Sequence, residues 1–189
     1  MTESEIIRGC IKYDRNAQKA LYELYYATMM GVCLRFSKNT EEAKTILKEG
    51  FLKVFHTIAS LNSILPSESW IRTIIINTAI EYLRRNRQEY LIVSTVNAYE
   101  KTEGYKEETI SDDELLNRLG TEDIIKALQR LTPAYRIVFN LYFIEKLSTK
   151  EIGEKLGINE DTAKTNLSKA RFNMKKFLIQ TLRTFNGRQ

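Results

Sequence analysis

The chain has 189 residues, a formal net charge of +5, 43% hydrophobic and 28% charged residues. That length holds one ordinary domain or two small ones, and the apolar share is enough to bury a core, which excludes wholesale disorder. Two prolines, eight glycines and two cysteines exclude a collagen-like or disulfide-rich chain and favour helix. Cys10 and Cys33 form no CxxC pair, and the single histidine, His56, is near neither in sequence, so a cysteine/histidine metal site is not expected. Two buried free thiols suit a reducing cytoplasm. Met1–Arg15 carries acidic residues and no apolar run of signal-peptide length, and Ile74–Ile76 is far too short to span a bilayer.

Ala17, Leu21, Leu24, Tyr25 and Thr28, followed by Val32 and Phe36, recur at helical spacing and predict a first helix. Ala43, Ile46, Leu47, Gly50, Phe51, Val54 and Ile58 predict a second. Asn39 or Thr40 caps it, and Glu41 and Glu42 suit the positive end of its dipole. A third helix is expected from Ser69 to about Asn86. Trp70, Ile71, Ile74, Ile75 and Ala79 form its apolar side, and a basic run, Arg84–Arg87, ends it. Taken alone, such a run is a solvated helix end, and Trp70 is a core residue. His56 is placed on an exposed helix face with no catalytic role.

Charge then changes sign. Residues 1–88 carry net +4, residues 89–120 net −5 and residues 121–189 net +6. A basic block, an acidic block and a second basic block predict two helical domains, 1–90 and 121–189, joined by a flexible acidic linker, 91–120.

In the last block a short helix is expected over Asp123–Leu131. Thr132-Pro133 ends it and starts the next, which is expected to run to about Lys146. Ser148-Thr-Lys-Glu151 reads as a capping box opening a helix over Thr149–Leu156. Gly157 supplies a left-handed turn residue, and Asn159 caps another helix. Cap, short helix, glycine turn, cap and second helix form the helix-turn-helix pattern. Ala163, Leu167, Ala170, Met174 and Phe177 make its buried stripe, with Lys164, Thr165, Ser168 and Lys169 outside it. That split suits a helix entering the major groove. Phe172 lies opposite the stripe and reads as a partner contact. No nucleophile is paired with a base, and no P-loop, GxGxxG or acidic metal cluster is found, so no enzyme is expected, and no cofactor.

Three segments together resemble a known family. Leu21–Tyr25 with Glu42–Phe55, then Trp70–Arg85, then Ser148–Ile158 with Thr162–Arg171, resemble in order the conserved regions of bacterial RNA polymerase sigma factors of the extracytoplasmic-function type, which keep domains two and four. The resemblance covers nearly all the chain except the linker. It implies an all-α, two-domain factor that binds core RNA polymerase and directs it to promoters. It further implies that Lys48, Glu49, Leu52 and Lys53 meet the polymerase β′ clamp, and that domain four meets the β flap. Trp70, Arg72, Asn77, Arg84 and Arg85 would meet the −10 element, where a base leaves the stack. Thr162, Lys164, Thr165, Asn166, Lys169 and Arg171 would meet the −35 element. The acidic linker would thread toward the RNA-exit path, and an anti-sigma protein, membrane-anchored itself, would cover these surfaces. The factor would be cytoplasmic, with no membrane contact of its own. Lys44 stands where an acidic residue is usual, Lys48 for glutamine, Ser67 for an aromatic, Asn166 for arginine and Ala163 for valine. Two alternatives remain open from sequence: a DNA-binding regulator that does not bind polymerase, and a sigma-like decoy for an anti-sigma factor.

Overall fold

The computed structural model describes residues 1–60, 66–86 and 120–186. The expected linker, 91–120, lies outside the described residues except for Gly120, as does most of the loop before the third expected helix. Every described element is a helix, and the chain divides into two compact units between Arg85 and Asn86.

The first unit holds four helices: α1 (Glu3–Ile11), α2 (Arg15–Phe36), α3 (Thr40–Ile58) and α4 (Glu68–Asn86). Helix α1 has no counterpart among the sequence expectations. Thr2 and Glu5 close a capping box on it, the Glu5 N–H donating to Thr2 Oγ1 at 3.3 Å and the Thr2 N–H to Glu5 Oε2 at 2.7 Å. Hydrogen bonds from the Thr2 backbone N–H and side chain hold the Glu5 carboxyl below its usual range. A Cβ at Gly9 would lie 2.4 Å from Ala17 Cβ, so glycine there lets α1 close onto α2. The Tyr25 hydroxyl donates to the Glu3 carboxylate and ties the start of α1 to the middle of α2.

Helix α2 is capped by Asp14, which accepts from the Asn16 and Ala17 N–H groups. Its buried row runs Ala17, Leu21, Tyr25, Met29, Val32, Cys33 and Phe36. Leu24 and Thr28, expected in that row, are exposed instead; the row of fours they begin is buried only from Val32 and Phe36 onward. Asn39 caps α3, its Oδ1 accepting from Glu42 N–H at 2.9 Å. Helices α3 and α4 meet at Gly50, where an added Cβ would lie 2.4 Å from Ile75 Cδ1. Both cysteines are free and fully buried, as expected. Burial raises the Cys33 thiol to about 12 and the Cys10 thiol to about 11.

The second unit holds α5 (Thr121–Arg130), α6 (Pro133–Phe139), a π-helical turn (Asn140–Ile144), α7 (Thr149–Leu156) and α8 (Glu160–Asn186). Helix α5 starts two residues before the expected Asp123, whose carboxylate instead reaches back to the Gly120 N–H at 3.3 Å. The helix expected to reach Lys146 stops short. It widens into the π turn, and the Glu145 N–H bonds to Asn140 O and the Leu147 N–H to Leu141 O. Lys146 then takes a left-handed conformation at φ 60°.

The helix-turn-helix forms as read from the sequence. Ser148 and Glu151 close the capping box, Gly157 has φ 68°, and Asn159 Oδ1 accepts from the Thr162 N–H at 2.7 Å. The turn packs tightly against α7, since a Cβ at Gly153 would lie 2.8 Å from Ile158 O. Met174 and Leu178 of α8 pack on Ala127, Leu128 and Leu131. Phe177, expected in the buried stripe, is only half-buried and lies under the Arg130 guanidinium, 4.1 Å from its ring centre.

One buried charge organises this unit. Arg136 is 1% exposed. Its guanidinium donates to Leu128 O at 2.9 Å, Gln129 O at 2.9 Å and Leu131 O at 2.7 Å. It therefore serves carbonyls at the C-terminus of α5, of which Leu128 O also accepts from the Leu131 N–H at 3.1 Å.

Candidate nucleic-acid and polymerase-binding surfaces

In the second unit α8, the second helix of the helix-turn-helix, presents Lys164, Thr165 and Ser168 to solvent, with Thr162 and Lys169 half-buried beside them. The Lys164 ammonium lies 3.0 Å from Glu160 Oε1 and 4.0 Å from Asp161 Oδ1. The hydrogen bond to Glu160 raises the Lys164 pKa, and that bond, with a second from the Thr149 hydroxyl at 3.0 Å, lowers the Glu160 carboxyl. Glu160 thus links the first turn of α7 to the first turns of α8. All three side chains reach solvent, so a phosphate competes with these carboxylates for Lys164.

Arg171 is exposed, its guanidinium 5.7 Å from the ring centre of Phe143 in the π turn. Asn166 departs from the expectation. It is 2% exposed, and its Oδ1 has no hydrogen-bond partner among the described residues. Three residues beyond Ala163 and four before Ala170, it belongs to the packed side of α8 and cannot touch DNA from there. Phe172 is 47% exposed, as its position opposite the stripe implied.

In the first unit, Lys48 is exposed and Leu52 is 69% exposed on the outer face of α3. Glu49 and Lys53 point from the same face toward α4. Arg85 Nη2 donates to Glu49 Oε2 at 2.5 Å, and Lys53 pairs with Glu81. These two rungs lie one turn apart on both helices, as antiparallel neighbours require. The family resemblance implied one partner for Glu49 and Lys53 and another for Arg85; the fold brings them together.

Beyond the rungs, α3 and α4 part to leave a groove of about 430 Å³. Leu52 and Ile74 give it apolar walls, while Lys53, His56, Asn77 and Glu81 supply polar groups. Asn77 is half-buried there. Trp70, also half-buried, lies two turns earlier on the same side of α4. Arg72, two residues from Trp70, points elsewhere round the helix, and Arg84 is half-buried near its end. The sequence reading missed Glu81 and gave His56 no role. Glu81 stands four residues after Asn77 and four before Arg85, and that spacing is the signal for a shared face. Among the described residues no group of histidine, cysteine and carboxylate side chains could hold a metal ion. Nor is any described helix long and apolar enough to cross a membrane.

Comparison with known proteins fits this layout. The family model for sigma-70 region 2 matches residues 21–89, and that for sigma-70 region 4 matches residues 121–173, together about two-thirds of the chain. The chain is 26% identical to the ECF RNA polymerase sigma factor SigW of Bacillus subtilis over 176 residues, covering 91% of this chain and 94% of that protein. It is 27% identical to the RNA polymerase sigma factor YlaC of the same organism, over 88% of this chain and 95% of that one. The RNA polymerase sigma-H factor of Pseudomonas aeruginosa is 25% identical over 96% of each chain. Region 2 falls on α2–α4 with its ion-pair rungs and groove, and region 4 on the helix-turn-helix unit. The chain belongs to the sigma-70 family of RNA polymerase sigma factors and is of the extracytoplasmic-function type.

Proposed function

We propose that the chain binds core RNA polymerase, directs it to particular promoters and opens the −10 region, each unit taking one promoter element. The face of α3 bearing Lys48, Glu49, Leu52 and Lys53 docks on the β′ clamp, and the second unit docks on the β flap. An exposed leucine among charges suits a partner surface. Thr162, Lys164, Thr165 and Lys169 meet the −35 element, with Arg171 against a phosphate. Trp70, Arg72, Arg84 and Arg85 meet the −10 strand. An anti-sigma protein covers these faces when the factor is silent, and the factor works in the cytoplasm. It makes no covalent bond itself; the chemistry belongs to the polymerase.

The observation that carries this reading is the groove beside Asn77. Melting needs somewhere to put a base once it leaves the stack, and a flipped base is held by hydrogen bonds and by apolar contact. The groove offers both, with Asn77 as donor and acceptor between Leu52, Ile74 and the Lys53–Glu81 pair. Neither rival reading, a regulator that ignores polymerase or a decoy, calls for such a groove beside an exposed Leu52. The experiment is reconstituted holoenzyme on a promoter carrying 2-aminopurine at successive −10 positions. Fluorescence should rise at one position with the natural chain, and Asn77→Ala should reduce that rise while duplex −35 binding persists. An identical rise with Asn77→Ala refutes the groove assignment.

A further inference from the structure

The two rungs between α3 and α4 join surfaces with different proposed partners. Arg85 is a −10 contact in the reading above, and Glu49 belongs to the polymerase-docking face. In the free chain the Arg85 guanidinium donates to the Glu49 carboxylate at 2.5 Å. Arg85 also lies over the Tyr82 ring, 5.9 Å from its centre, which keeps it along α4 and within reach of Glu49. One turn further, Lys53 is held by Glu81. A carboxylate and a phosphate compete for the same guanidinium donors, because both accept through oxygens in the same planar fork geometry.

We propose that Glu49 is an intramolecular stand-in for DNA phosphate: it occupies Arg85 in the free factor and releases it when polymerase engages the α3 face. Glu49 then links the two partners through one side chain. While it is held by Arg85, the −10 helix has one cation fewer for DNA. Once polymerase takes Glu49, the guanidinium turns to the strand. The pair is partly solvated, with Arg85 60% and Glu49 34% exposed in their side chains, so the device is a bias rather than a lock. Exposed pairs of this kind shift an equilibrium by up to about five-fold. The second unit repeats the arrangement, with Lys164 held by Glu160 and Asp161.

The inference rests on the −10 reading of Arg85, and the experiment separates the two. The probe is a fluorescent single-stranded oligonucleotide carrying the −10 element, titrated with the full-length free chain and, in parallel, with holoenzyme. Four chains are compared: natural, Glu49→Gln, Arg85→Ala and the double variant. Glu41→Gln serves as a charge-matched control, since Glu41 pairs locally with Lys44 at 2.9 Å. Glu49→Gln should tighten binding by the free chain two- to five-fold and steepen its salt dependence by about 0.7 in the logarithmic slope, one phosphate's worth on a single strand. The gain should vanish in the Arg85→Ala background and be absent in Glu41→Gln. A gain that persists without Arg85, or one matched by Glu41→Gln, reflects general charge and overturns the proposal. So does no gain from Glu49→Gln when Arg85→Ala weakens holoenzyme binding, and in that case the −10 reading survives. If Arg85→Ala weakens neither free-chain nor holoenzyme binding, the −10 reading of Arg85 has failed and the proposal falls with it.

Discussion

Arg136 is the residue whose loss the second unit should tolerate least. Its guanidinium is buried and donates to three carbonyls at the end of α5. Arg136→Met keeps much of the apolar stem and removes every donor. A hydrogen bond from a charged donor contributes about 1.5–3 kcal/mol, and a buried carbonyl left without a donor costs about 1–3 kcal/mol. Against this, the variant no longer desolvates a guanidinium, which returns several kcal/mol. The balance is a loss of about 2–3 kcal/mol, at the upper end of what single substitutions usually cost. At about 0.05–0.15 kcal/mol per residue, a unit of roughly 65 residues has about 3–10 kcal/mol in all, so a large share of its stability goes. The assay uses the full chain. Trp70, the single tryptophan, lies in the first unit, so its fluorescence follows that unit alone while far-ultraviolet circular dichroism follows both. The variant should lose a large part of its helical signal at 25 °C or melt far below the natural chain, with the Trp70 transition unmoved. A helical melt within about 1 kcal/mol of the natural chain refutes the argument that Arg136 holds the end of α5.

Other consequences are equally direct. Gly50→Ala forces a Cβ onto Ile75 Cδ1 and should destabilise the first unit by about 1–3 kcal/mol; adding Ile75→Val, which lacks that methyl, should recover part of the loss in a Trp70-monitored urea titration. Burial, with the Glu3 hydrogen bond, holds the Tyr25 phenol at about 12, and Cys33 and Cys10 are held at about 12 and 11. The folded first unit therefore keeps protons that the unfolded chain releases from about pH 9 upward, so its urea midpoint should fall as pH rises from 9 toward 12; a flat profile contradicts these burials. Lys164→Ala with Lys169→Ala should lower the logarithmic salt slope of −35 duplex binding by about two, whereas Asn166→Ala, which alters a buried side chain, should leave that slope as it is.

Local chemistry made the second unit readable from sequence. A capping box, a left-handed glycine and an asparagine cap each act within four residues, so Ser148, Gly157 and Asn159 declare themselves in the chain. What the sequence concealed depends on contacts between distant segments. Arg136 looks like one more surface cation until the end of α5 is brought to it. Glu49 and Arg85 are 36 positions apart, and nothing in their spacing joins them. The burial of Asn166 followed from a stripe wider than Ala163, Leu167 and Ala170 alone implied, because α8 packs against α5, α6 and α7 rather than one neighbour. Helix α1 was missed because it is short, and its buried positions, Ile6, Ile7 and Cys10, are too few to fix a period.

The central claim is that this chain is a working polymerase partner, and binding to core enzyme tests it most directly. Purified core RNA polymerase should retain the folded chain in a co-migration assay, and Leu52→Asp, which places a charge on the 69% exposed leucine of the docking face, should abolish that retention without altering the Trp70 melt. Failure of core polymerase to retain the folded natural chain, with no anti-sigma protein present, would contradict the account.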